Sequence, residues 1–168
     1  WSSDVCSSDL TQLYIKLSTK DLGNAKLKLI ECFNEIQSWC SSMRLKLNAN
    51  KTELIWFNRH PTPGPNPSLS LSLDTTCSIN PADVVRDLGV LLDSKLSMKN
   101  HIASISKACF FHLRRIRQVK NSLTAHSLRT LVQALVISRL DYCNSVLYGL
   151  PESTLKPLTT ILHYAARL

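Results

Sequence analysis

The sequence predicts an α+β chain, with one helix and short antiparallel strands up to about residue 95 and helices alone from residue 96 onward. Two observations carry this. Between Asp21 and Arg44 apolar side chains return at helical spacing, whereas the flanking segments show strand alternation or short apolar runs. After Leu96 the spacing is helical throughout, so the change near residue 95 marks a subdomain boundary.

The opening decapeptide "WSSDVCSSDL" is rich in serine and has no periodicity, which predicts a disordered lead over residues 1–10. In "TQLYIKL" (11–17), Leu13, Ile15 and Leu17 share one face, as in a half-buried strand. A helix follows with Asp21 as its N-cap. Leu22, Leu29, Ile36 and Met43 recur every seven residues, with Ala25, Phe33 and Cys40 between them, and draw one stripe that ends near Arg44. "KTELIWFN" (51–58) is a nearly continuous apolar run beside Asn-rich turn chemistry, consistent with a strand buried on both faces. Pro61, Pro63, Pro65 and Pro67 cannot donate to a ladder, so "RHPTPGPNPS" is expected to be an extended surface loop. The alternating "SLSLSLD" (68–74) and the run "VVRDLGVLLD" (84–93), interrupted by Gly89, are expected to pair as a hairpin.

In the second half, Ile102, Ile105, Cys109, Leu113, Ile116 and Val119 make one helical stripe. Leu128 to Leu140 make a second, and Leu158, Ile161, Leu162 and Ala165 begin a third. Gly149 and Pro151 separate the second from the third.

A chain of 168 residues can bury a real core, and 44% hydrophobic against 19% charged residues is the composition of a folded protein rather than a disordered one. A net charge of +8 favours polyanionic partners, because lysines and arginines displace the counterions that surround phosphates. The cysteines at 6, 32, 40, 77, 109 and 143 include no C-x-x-C pair and fit neither a zinc site nor a dense disulfide frame, so they read as reduced, mostly buried thiols. No apolar stretch approaches the ~20 residues that span a bilayer, and no signal-peptide pattern opens the chain. An intracellular setting, nuclear or cytoplasmic, is implied, with no membrane partner and the oligomeric state left open. The absent initiator Met and the helical pattern running into Leu168 imply a chain cut at both ends.

Common catalytic signatures are missing. The sequence has no phosphate-cradling G-x-x-x-x-G-K-[ST] or G-x-G-x-x-G, no H-E-x-x-H and no G-x-S-x-G. His60, His101, His112, His126 and His163 are scattered and read as surface or satisfied helix residues. The segment "KACFFHLRRIRQVK" (107–120) says more, because Lys107, Arg114, Arg117 and Lys120 avoid the apolar stripe and Arg115 lies nearby. That face either tracks a phosphate backbone or is the solvated side of an amphipathic helix.

Three blocks in register then resemble one family: W…LxLNxxKTE at Trp39 to Glu53, DLGVxLD at Asp87 to Asp93, and LDYCNSVLYGLP at Leu140 to Pro151. With "DLTQLYIKL" ahead of them and "AARL" behind, residues 11–168 resemble the C-terminal half of the reverse transcriptase domain of LINE-type non-LTR retrotransposons. The resemblance implies the last part of a polymerase palm with a primer-grip-like hairpin over 11–95, then a helical thumb-like region over 96–168. It further implies an RNA-directed DNA polymerase as parent, RNA template and DNA primer as partners, and Mg²⁺ for the intact parent with no cofactor in this stretch. The alternative is a non-enzymatic basic helical module, residues 96–168, that binds nucleic acid or a protein partner.

The family's strand before "TQLY" carries Tyr or Phe, Ala, Asp and Asp, positions that fall on Ser7, Ser8, Asp9 and Leu10; Asp9 alone agrees. Two-metal phosphoryl transfer needs several hard oxygen ligands, so the resemblance implies no metal site here and no activity for this polypeptide alone. Residues 1–10 also resemble a translated sequencing adapter, and on that reading Asp9 is a chance match in a surface lead. Lys51 falls where the family keeps a lysine near the incoming nucleotide's phosphates, the plain alternative being a solvated turn lysine. Leu88 and Gly89 fall on the hairpin that presses on the primer's 3′ end, or form an ordinary hairpin turn. Lys107, Arg114, Arg115, Arg117 and Lys120 would meet the duplex backbone rather than its bases.

Overall fold

The computed structural model describes residues 11–16, 22–45, 47–48, 51–57, 71–72 and 78–168. In chain order its elements are α1 (Leu22–Ser42), β1 (Leu54–Ile55), β2 (Leu71–Ser72), β3 (Ser78–Ile79), β4 (Pro81–Ala82), β5 (Val84–Asp87), β6 (Val90–Asp93), α2 (Lys99–Val119), α3 (Ala125–Val132), α4 (Ser138–Asp141) and α5 (Glu152–Ala166). Mixed helix and strand is thus the architecture, as the periodicities predict. The chain divides into two units, Trp1–Leu54 with Gly64–Pro81, and Ile55–Pro63 with Ala82–Leu168.

In the first unit α1 runs beside β2, and β2 pairs antiparallel with β3 through Leu71 opposite Ile79 and Ser72 opposite Ser78. Ala25 and Cys40 of the α1 stripe are buried, and Leu29, Phe33 and Ile36 are half-buried. Met43 departs from expectation. It lies in the turn past the helix end, where the heptad spacing no longer keeps it on the stripe, and it is exposed. "TQLYIK" is also not a strand: residues 11–16 are exposed and have no regular structure. Alternation only forms a strand where a partner edge takes up its backbone groups, and none does so here among the described residues. The cap residue Asp21, Leu17, the decapeptide lead with Asp9, and the proline loop lie outside the described residues.

In the second unit a hairpin forms, but not the one expected between "SLSLSLD" and "VVRDLGVLLD". β5 pairs with β6, Val84 opposite Asp93 through Asp87 opposite Val90, so "VVRDLGVLLD" folds on itself, and the described residues of "SLSLSLD", Leu71 and Ser72, pair with β3 instead. The two-residue turn Leu88 and Gly89 explains the choice, since both carry positive φ (44° and 89°), the backbone of the tight turn that matches strand twist. The "ELIWF" run is shorter and wetter than a doubly buried strand: β1 spans two residues, Ile55 and Trp56 are half-buried, and Phe57 is exposed.

The helices of this unit close around Cys109, Leu113, Ile116, Val136, Leu140 and Ile161. Spacings of three and four along α2 put its members on one side, which packs against α5 and the α3 to α4 run. Val119, expected on the same stripe, is exposed at the last turn. The Thr124 hydroxyl caps α3 by accepting from the Ser127 N–H at 3.2 Å. Between α3 and α4, Gln133–Ile137 widens to a π-helical turn, with the Ser138 N–H reaching back to the Gln133 carbonyl. The Cys109 thiol donates to the Val136 carbonyl inside that turn, at 3.9 Å. α5 begins at Glu152, directly after Pro151 and earlier than its apolar stripe suggests. A second cluster, Val90, Met98, Ile102 and Leu147, seats the hairpin on the N-terminal end of α2. Among the described residues no helix is long and apolar enough to cross a membrane.

Candidate nucleic-acid interface

α2 offers two faces. Its inner face supplies the core, and its outer face carries Lys107, Arg114, Arg115 and Arg117, all exposed. Lys120, grouped with these by sequence, sits just past the helix and is half-buried; its Nζ donates to the Leu168 carbonyl at 3.1 Å. The structure therefore gathers four of the five cations on α2 and ties the fifth to the end of α5.

Aromatic rings interleave with these cations. One inner stripe takes Cys109 and Leu113 but leaves no room for two consecutive phenylalanines, which point about 100° apart. Phe110 and Phe111 consequently reach the surface, 38% and 58% exposed. The Arg115 guanidinium carbon lies 5.9 Å from the Phe111 ring centroid, within cation–π range. Phe110 meets Tyr164 of α5 edge to face, centroids 5.8 Å apart at 77°. Charge pattern alone missed these rings, although the "FF" inside a basic amphipathic helix was the available signal.

The hairpin is held at three points, from its tip to its open end. The Tyr142 hydroxyl donates to the Leu88 carbonyl at 2.6 Å, and a Cβ on Gly89 would lie 3.6 Å from the Tyr142 ring. The Leu91 N–H donates to Nδ1 of buried His101 at 3.3 Å, and burial pushes this imidazole below its ordinary pKa. Asp93, also buried, accepts from the Ser97 and Met98 N–H groups at 3.0 and 2.9 Å, ahead of α2. Burial by itself raises the Asp93 carboxyl; hydrogen bonds from Ser97 and Met98 outweigh it and hold the group below the usual carboxylate range. Leu88 itself stands out, 69% exposed. Leu88 and Gly89 are not on the cationic face, because the hairpin packs where Ile102 and Met98 are buried.

Lys51 belongs to the first unit and is exposed in a tight turn, where the Asn48 carbonyl accepts from the Lys51 N–H at 3.0 Å and from the Thr52 hydroxyl at 3.2 Å. Among the described residues no three His, Cys, Asp or Glu side chains come together as a group that could hold a metal ion. Comparison of the chain with protein-family models, curated proteins and solved structures gave no match.

Proposed function

We propose that this chain is the last part of the palm and the thumb-like region of a LINE-type reverse transcriptase, and that it holds an RNA template and a DNA primer inside the cell. The observation that supports it most is the row of exposed cations on the outer face of α2, Lys107, Arg114, Arg115 and Arg117, in a chain of net charge +8. Cations on one rigid helix bind phosphates along a backbone and fix its register without reading sequence. The resemblance adds that Leu88 and Gly89 press on the primer's 3′ end. It also adds that Lys51 neutralises charge near an incoming nucleotide's phosphates. Polymerisation itself belongs to the intact parent, whose Mg²⁺ would clamp attacking and leaving oxygens.

A second reading draws on the helices of residues 96–168, which enclose their own core: a basic helical module that binds nucleic acid or a protein with no polymerase role. Affinity for an RNA template and DNA primer hybrid separates them. If Lys51→Ala and Gly89→Val weaken hybrid binding as Arg114→Ala and Arg117→Ala do, the polymerase reading stands. If only the arginines matter, the module remains.

A further inference from the structure

The geometry points to Phe111 as a stacking platform for an unpaired nucleobase, flanked on α2 by the cations that would hold the neighbouring phosphates. This rests on the nucleic-acid reading of the same helix face and narrows its ligand from any duplex to a strand that presents a free base.

Lys107, Phe111 and Arg114 stand at i, i+4 and i+7, so they form one line along the exposed face. Seven residues of helix rise about 10 Å, a span that places one ring between two phosphate-binding cations. Arg115, one turn beyond Phe111, lays its guanidinium over that ring. A planar guanidinium lies flat on a π system and bonds phosphate through a two-pronged fork, a geometry that a lysine ammonium lacks.

Phe111 is 58% exposed, and its ring meets the Arg115 guanidinium and, edge to face, the ring of its neighbour His112. What sets Phe111 apart from the other exposed apolar side chains is its cationic border, with Arg115 over the ring, and a flat apolar face beside positive charge suits a ligand with a flat apolar face and negative charge. Nucleic acid has both. Within a duplex the base faces are hidden in the stack except at its two ends, so along a strand only an unpaired base can meet the ring. An apolar protein partner fits less well, because cations border the ring along the helix.

The test uses the full chain and three fluorescent probes: an adenosine oligoribonucleotide of about 12 nucleotides, an abasic strand with the same phosphates, and a blunt RNA–DNA duplex. Phe111→Ala is expected to weaken binding of the base-bearing strand roughly 5- to 100-fold while leaving the abasic strand and the duplex unchanged. Phe111→Trp should restore the loss, and Phe111→Leu, which keeps the apolar bulk, should not. Equal binding of abasic and base-bearing strands, or indifference to Phe111→Ala, would overturn the platform while leaving phosphate binding by the arginines intact. Failure of all three probes to bind would overturn both the platform and the nucleic-acid reading, and would leave a protein partner as the occupant.

Discussion

The Tyr142 phenol donates to the Leu88 carbonyl over 2.6 Å, tying residues 54 positions apart. It fixes the backbone at a residue whose φ of 44° is unfavourable for a side chain with Cβ, by about 1–2 kcal/mol. Tyr142→Phe is therefore expected to destabilise the second unit by about 1 kcal/mol, read as a lower midpoint in urea unfolding.

The same turn makes an opposite expectation. Leu88→Gly should be neutral or stabilising by up to about 1 kcal/mol, because glycine accepts positive φ without strain. Gly89→Ala, at φ 89°, should destabilise by a similar amount. Differential scanning of the two variants gives the signs directly.

Acid should loosen the junction of hairpin and helix in two stages. The folded pKa of His101 is lowered, so the unfolded chain takes up its proton first as pH falls through ~6.5, and stability declines from there. Protonated Nδ1 could no longer accept from the Leu91 N–H. The depressed Asp93 carboxyl contributes stability that is fully present above the unfolded value of ~3.9 and lost as pH falls through the folded one. Urea midpoints measured against pH should show both declines, with His101→Gln removing the upper one and Asp93→Asn the lower.

Much of the second unit was legible in the sequence, because a stripe such as Ile102, Cys109, Leu113 and Ile116 specifies both a helix and its buried side. Strand pairing was less so. Alternation in "SLSLSLD" states which face is apolar and not which edge it meets, whereas the short Leu88 and Gly89 turn let β5 pair with the nearest strand. The cations of the candidate interface could be read from helix geometry. Asp93, His101 and Tyr142 could not, because each acts through a hydrogen bond to a main-chain group that no side-chain pattern encodes.

Core and interface should separate cleanly in mutagenesis. Ile161→Ala empties a fully buried site and is expected to cost about 2–5 kcal/mol. Lys107→Ala, on the outer face of α2, should stay within about 0.5 kcal/mol of the parent chain. Chemical denaturation of both tests whether the two faces of α2 are independent.

The most direct test of the account is the salt dependence of binding to an RNA–DNA hybrid. Log affinity should fall linearly with log salt, and Arg114→Ala and Arg117→Ala should each lower the magnitude of the slope by about 1 without changing stability. A slope near zero in the unaltered chain, or one that both substitutions leave unchanged, would contradict the claim that α2 holds a phosphate backbone.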